Sequence, residues 1–293
     1  MRAARPDGGV SGALRRALAG PTYAAWRILR AFRRDTAGLR IVVLHGTPDE
    51  SLSALDRLIV TIKRGHDLVT PDQAAARFTD TSPNHRPACL LSFDDGFASN
   101  RRAAHEVLAR HDVKALFFVC PNLIDLDGAA QSRRVVETVF DGHGERMPAN
   151  ERLMTWAELA ELKTAGHVIA AHGLTHRRLS GLAGSERERE IGRSGDAIAA
   201  RLGGTVDWFA YPFGDIDSIS AEALSVVGKR YRLCRSGVRG ENRADTHRLA
   251  VRAEPVDLAM PLAYQRLELE GGLDGRYADA RQKLDAFARA AKA

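Results

Sequence analysis

From residue 40 onward, apolar runs of strand length alternate with stretches of helical periodicity. Runs rich in apolar, β-branched or aromatic residues occupy 41–45, 88–93, 114–119, 167–171, 206–211, 230–234 and 248–252, with a weaker one at 67–69. Between them, apolar positions recur every three or four residues over about 51–64, 71–78, 98–111, 155–165, 185–202 and 218–228. Buried-looking strands interleaved with amphipathic helices predict an α/β fold with a parallel sheet, because each return to a parallel strand needs a crossover. The strand count suits a closed or nearly closed barrel, and 293 residues suffice for one large core. The one long irregular stretch, 121–154, reads as an insertion over one end of the barrel. Helical periodicity resumes at 275–292 with Tyr277, Leu284 and Phe287, predicted to pack outside the sheet. The expected division is an N-terminal arm at 1–39, a main domain at 40–260 and a helical extension at 261–293.

Charge sharpens the arm. The formal net charge is +6, yet residues 1–40 carry nine Arg and only two acids, while the remaining 253 residues hold 34 basic and 35 acidic side chains. A neutral body with no basic stripe argues against a nucleic-acid partner, whose affinity would come from clustered Lys and Arg. Within the arm, Trp26, Leu29 and Phe32 or Arg33 follow one stripe from Tyr23 to Arg34 and Arg27, Arg30 and Arg34 follow another, predicting an amphipathic basic helix. It either docks its apolar face on its own domain or gives residues 13–34 a peripheral contact with an anionic membrane. No apolar run approaches the roughly 20 residues needed to cross a bilayer. The N-terminus lacks the continuous apolar core of a secretory signal, so cytoplasmic residence is expected, with association at the inner face of the membrane as its variant. Cys89, Cys120 and Cys234 are odd in number and sit in or beside apolar runs, as buried reduced thiols do.

Three motifs carry candidate chemistry. Ser92-Phe93-Asp94-Asp95-Gly96 closes the run 88–93 and opens a helix; adjacent carboxylates repel unless a cation or proton intervenes, although a capped Asp-Asp-Gly turn would use the same residues. His172-Gly173-Leu174-Thr175-His176 follows the run 167–171 and sets two imidazoles four residues apart, a spacing that lets both face one cation. A metallopeptidase would need Glu directly after the first His, and Gly173 stands there instead. Phe209-Ala210-Tyr211-Pro212-Phe213-Gly214 follows a third run, and its rigid turn either aims backbone N–H groups at an oxyanion or merely links strand to helix. All three, and His45 after Ile41–Leu44, fall at the C-terminal ends of strands, where parallel barrels build their sites.

In this order, the three motifs resemble those of the polysaccharide deacetylase family, also called the NodB-homology domain or carbohydrate esterase family 4. Val42-Val43-Leu44-His45 resembles the family's opening strand, and Met154-Thr155-Trp156 with Leu159, Leu162 and Ala165-Gly166-His167 resembles the lead-in to its histidine motif. The resemblance covers roughly residues 40–235. It implies a deformed (β/α) barrel of about seven parallel strands and a single divalent metal, usually zinc. Carried over residue by residue, Asp95, His172 and His176 become the metal ligands and Asp94 the general base acting on a water at the metal. Phe213, Tyr211, Pro212 and His45 become oxyanion or substrate residues. The implied activity is removal of acetyl groups from N-acetylated amino sugars of an oligo- or polysaccharide.

The chain also departs from that pattern. Many members carry an Arg before the Pro-aromatic turn to hold the base, and Ala210 stands there. A late Leu-x-His supplies the acid in many members, whereas after 248–252 the chain reads Ala253-Glu254 and His247 lies at the wrong end. His45, Arg252 or water at the metal remain as donors. Two rival readings stay open: a carbohydrate-binding pseudoenzyme, against which the retention of Asp94 speaks, and an O-acetyl esterase using the same site.

Overall fold

The computed structural model describes residues 12–31, 38–79, 86–144, 147 and 151–291. Its sheet contains β1 (Leu39–Leu44), β2 (Asp67–Leu68), β3 (Ala88–Phe93), β4 (Leu116–Val119), β5 (Val168–Ala171), β6 (Trp208–Ala210), β7 (Leu233–Arg235) and β8 (Glu254–Pro255). The strand order is β7-β6-β5-β4-β3-β1-β8, and β2 pairs with the start of β3 beside β4. Every pairing between these strands is parallel. The sheet curls back on itself, because Val251, just ahead of β8, bridges Arg235 at the end of β7.

Alternation along the strands separates two apolar layers. Leu39, Ile41 and Val43 of β1, Leu90 of β3, Leu116 and Phe118 of β4, Ala170 of β5 and Leu233 of β7 fill the inside of the curl. Val69 and Ala74 close its lower end from the segment around α3 (Pro71–Ala76). The intervening residues, among them Val42, Leu91, Phe117, Ile169, Phe209 and Cys234, face outward. They pack under α2 (Leu52–Lys63), α4 (Ala98–Ala103), α5 (Pro121–Ile124), α6 (Gly128–Thr138), α7 (Trp156–Thr164), α8 (Gly184–Leu202) and α9 (Ala221–Arg230).

Four stretches differ from expectation. No strand forms over 248–252: a turn closed by Ala250 N–H to the His247 carbonyl (2.8 Å) leaves only Val251 in register, and pairing resumes at β8. The stretch 121–154 is not one irregular insertion, since α5 starts at Pro121 and α6 buries Val135. The helix expected over 98–111 changes hydrogen-bond register twice, from α4 into a π turn at Ala104–Leu108 and a 3-10 turn at Ala109–His111. Finally, α10 (Leu262–Leu269) precedes α11 (Ala278–Ala290); buried Gln265 and Glu268 hide its periodicity from the sequence.

Gln265 donates to the Leu258 and Met260 carbonyls, and a buried charge network supplies the reason for Glu268. Arg40 of β1 pairs with Glu254 (2.5 Å) and Asp274 (2.9 Å), and Arg239 pairs with Glu254 (3.1 Å) and Glu268 (2.7 Å). Charges this deeply buried are tolerable only in pairs, so the network fixes α10 to the seam where β8 meets β1. The N-terminal arm is the helix α1 (Gly12–Ala31), which docks Ala19 and Tyr23 against Met260, Tyr264 and Leu267. Positions 32–34 of the expected arm helix lie outside the described residues.

Candidate active site

The strand alternation that separates the two layers also selects what reaches the mouth of the barrel. Following the inward set to the C-terminal end of each strand gives His45 just past β1, Asp94 just past β3, His172 just past β5 and Arg235 as the last residue of β7. These four line one cleft of about 1130 Å³, together with Asp95 and Phe213. Parallel strands place these ends at the same side of the sheet, so residues 49 to 190 positions apart meet there by register alone.

Asp95, His172 and His176 offer ligand atoms that all lie within 4.8 Å of one another. The tautomers are set from behind: Nδ1–H of His172 donates to the Ala210 carbonyl (2.8 Å) and Nδ1–H of His176 to that of Thr138 (2.8 Å). Each ring therefore turns the lone pair of Nε2 toward Asp95 Oδ1, at 3.6 and 3.3 Å. Both carboxylate oxygens of Asp95 and Nε2 of His176 are buried without a hydrogen-bond partner. A buried acceptor set of two imidazoles and a carboxylate with no donor of its own fits a divalent cation. Without one, burial and then the Asp94 charge push the Asp95 carboxyl up to about 7, and burial pushes both histidines down to about 3.

The loop between the histidines is held by α8. Glu190, buried there, accepts from Thr175 N (2.6 Å) and Thr175 Oγ1 (3.0 Å), and Ser194 Oγ donates to the Gly173 carbonyl (2.9 Å). Gly173 has φ +79°, and a Cβ there would meet Glu190 Oε1 and Pro212 Cγ, both at 3.3 Å. Asp95, His176 and Phe213 also adopt positive φ (71°, 61° and 66°), an unfavourable backbone for non-glycine residues that concentrates here.

Asp94 is gripped by a residue the motifs do not reveal. Nη2 of Arg235 lies 2.6 Å from both Asp94 oxygens, and the guanidinium stacks 4.8 Å from the centre of the Phe118 ring. Arg235 is 1% exposed. It supplies from β7 the positive charge that Ala210 cannot supply from β6. The available signal was phase: Arg235 is the one charged position of its strand and falls on the inward parity of Leu233.

The Pro-aromatic turn divides its roles. Phe213 reaches the cleft, packed between the His176 ring (4.7 Å) and the Arg178 guanidinium (3.8 Å). Tyr211 and Pro212 do not line it; Tyr211 is buried and donates its hydroxyl to the Gly214 carbonyl (3.0 Å), bracing the turn. Of the proton-donor candidates, His45 lines the cleft with Asp94 and His172. Arg252 lines a different cavity, toward the start of the strands, and pairs with Asp285 (2.9 Å).

These groups give the cation-free protein a definite response to acid. His45, His172 and His176 are each held near 3 when folded, so below about 6.5 the unfolded chain takes up protons that the folded one refuses. Stability conferred by the three neutral rings is complete above that pH and is lost as pH falls toward 3. Asp95 acts oppositely between its ordinary value of 3.8 and about 7, offsetting one proton of the three. The melting temperature of the chelated protein is expected to fall from pH 6.5 to 4, and His176→Ala to flatten that slope; a slope unchanged by the substitution would contradict the assignment.

Comparisons with known proteins agree on the setting of this cleft. A family model described as polysaccharide deacetylase matches residues 81–231. YxkH of Bacillus subtilis (strain 168), which carries the name of a polysaccharide deacetylase, is 22% identical over 164 residues, 56% of this chain and 50% of its own length. The chain thus spans about half the length of that curated relative. Among solved structures, the deacetylase PplD of Streptococcus pyogenes is similar over 79% of this chain and 98% of its own, with a TM-score of 0.64 at 17% identity. IcaB of Ammonifex degensii covers 86% and 97% (TM-score 0.56, 19% identity), and the BpsB deacetylase domain of Bordetella bronchiseptica 76% and 98% (0.59, 19%). At these identities the structures bear on the fold, a parallel β/α half-barrel.

Proposed function

Since the chain belongs to the polysaccharide deacetylase family, we propose that it is a cation-dependent hydrolase that removes acetyl groups from N-acetylated amino sugars of an oligo- or polysaccharide. The observation that carries this reading is the pairing of a donor-free Asp95, His172, His176 pocket with a separate, arginine-held carboxylate, Asp94, one residue away. A scaffold that only held a cation would not need the second carboxylate.

A divalent ion, zinc by the donor set, would be held by Asp95, His172 and His176 and would lower the pKa of a water and polarise the acetyl oxygen. The chain's own residues do the rest. Asp94, oriented by Arg235, accepts the proton of the attacking water as the C–O bond forms. Phe213 and Phe97 wall the cleft and exclude bulk water from the acetyl methyl. When the C–N bond breaks, acetate departs and the sugar amine must gain a proton; Asp94 carries the one it took from the water and returns it, with the neutral His45 ring in the same cleft as a relay partner. The outer cleft carries Glu50, Glu151, Asp215, Asp217, Asp257 and Asp279 against Arg276, which favours neutral or amine-bearing glycans over nucleotide-linked sugars. PplD was solved with acetate, the small product this reaction would release.

Acetate release from N-acetylglucosamine oligomers is expected from the cation-loaded chain and to stop on chelation. Release from O-acetylated glycans alone would make the site an esterase, and oligomer binding with no turnover on either substrate would make it a binding protein.

A further inference from the structure

The arm helix α1 has two apolar faces, and its fold occupies only one. Ala19 and Tyr23 are buried against α10, with Trp26 half-buried beside them, and Tyr23 donates to Glu270 (2.8 Å) while Arg266 stacks 4.6 Å from its ring. Winding the helix at about 100° per residue puts Leu14, Leu18, Ile28 and Leu29 in one arc on the opposite side. They are 47%, 47%, 66% and 62% exposed, and they make up four of the five large exposed hydrophobics among the described residues. Arg15 borders this arc, whereas Arg16 and Arg27 lie past a strip of alanines, round toward the docked Tyr23.

We propose that this outward face of α1 is a docking surface for the headgroup layer of an anionic lipid bilayer. The apolar arc supplies area that water penalises, and the net positive charge of the arm as a whole supplies the long-range attraction to such headgroups. Charge also selects among occupants. The first 40 residues carry nine Arg and two acids on an otherwise neutral chain, so stacking the arc against a second copy would oppose two strongly basic arms. No helix among the described residues is long and apolar enough to cross a membrane, so α1 lies along the surface. The proposal is independent of the chemistry assigned to the cleft.

The test is cosedimentation of the full chain with vesicles of phosphatidylcholine alone and of equimolar phosphatidylcholine and phosphatidylglycerol. The chain pellets with the anionic vesicles at low salt and is released at high salt. Leu18→Gln/Ile28→Gln/Leu29→Gln weakens the partition about tenfold or more. Melting temperature and cation content stay unchanged, because the docked face is untouched. Failure to pellet with anionic vesicles overturns the proposal, as does pelleting that the leucine and isoleucine substitutions leave unaltered. A lipid-free dimer, seen by light scattering and dissolved by those same substitutions, would assign the arc to a second copy instead.

Discussion

Asp94→Asn is expected to lower acetate release by about a thousandfold, within the range general-base removal typically costs, while the chain retains its cation. The loss should fall on kcat and leave KM nearly unchanged, because an asparagine keeps the shape of the cleft and can still accept a hydrogen bond from Arg235, yet cannot take a proton. Asp95→Asn, one residue on, should do the opposite in the binding assay and lose the cation together with activity. The contrast between neighbours is the informative part. Asp94 and Asp95 emerge from the same turn, but strand parity sends the first into the barrel mouth toward Arg235, and a left-handed φ of 71° turns the second toward His172 and His176. Equal loss of cation in both variants, measured by elemental analysis, would show that the two carboxylates share one role.

Arg235→Met should have the largest effect on folding. Removing one member of a fully buried ion pair leaves the other charge uncompensated and typically costs about 3–5 kcal/mol. Urea unfolding should therefore show a midpoint well below that of the native chain. The surviving activity should also fall, because Asp94 loses the guanidinium that fixes its orientation. Arg235→Lys should recover part of both effects, keeping the charge but not the planar reach to both oxygens or the stacking on Phe118. In the double variant Asp94→Asn/Arg235→Met the destabilisation should be less than the sum of the single ones. An additive double variant, or an activity unchanged by Arg235→Met, would reduce Arg235 to a packing residue.

Much of this site is legible in sequence because strand ends in a parallel barrel converge. The runs before Asp94 and His172 are apolar enough to be recognised as strands, and two imidazoles four apart beside paired carboxylates are chemically unusual. Arg235 escapes because its strand is three residues long and the residues after it match no expected motif; only its phase with Leu233 marks it. Glu190 escapes for another reason: it reads as one more charge on a polar helix, and only tertiary packing shows its carboxylate holding Thr175. The seam of the barrel was misplaced because Leu249 to Val251 look like a strand, whereas pairing there depends on a turn at His247–Ala250 and on the buried Arg40, Glu254 and Arg239 charges. Tyr211 shows what a motif alone leaves open. It sits in a motif that points toward substrate, but a three-residue strand turns its hydroxyl back into the turn.

The most direct test of the central assignment is cation content. Native protein and Asp95→Ala, His172→Ala and His176→Ala variants would be stripped with chelator, exposed to excess zinc, dialysed and analysed for metal. A single zinc retained per native chain and little or none in each variant, with all four proteins folded by circular dichroism, is the expected result. Retention of zinc by the three variants at the native level, or its absence from the native chain, would contradict the assignment of Asp95, His172 and His176 as the cation site.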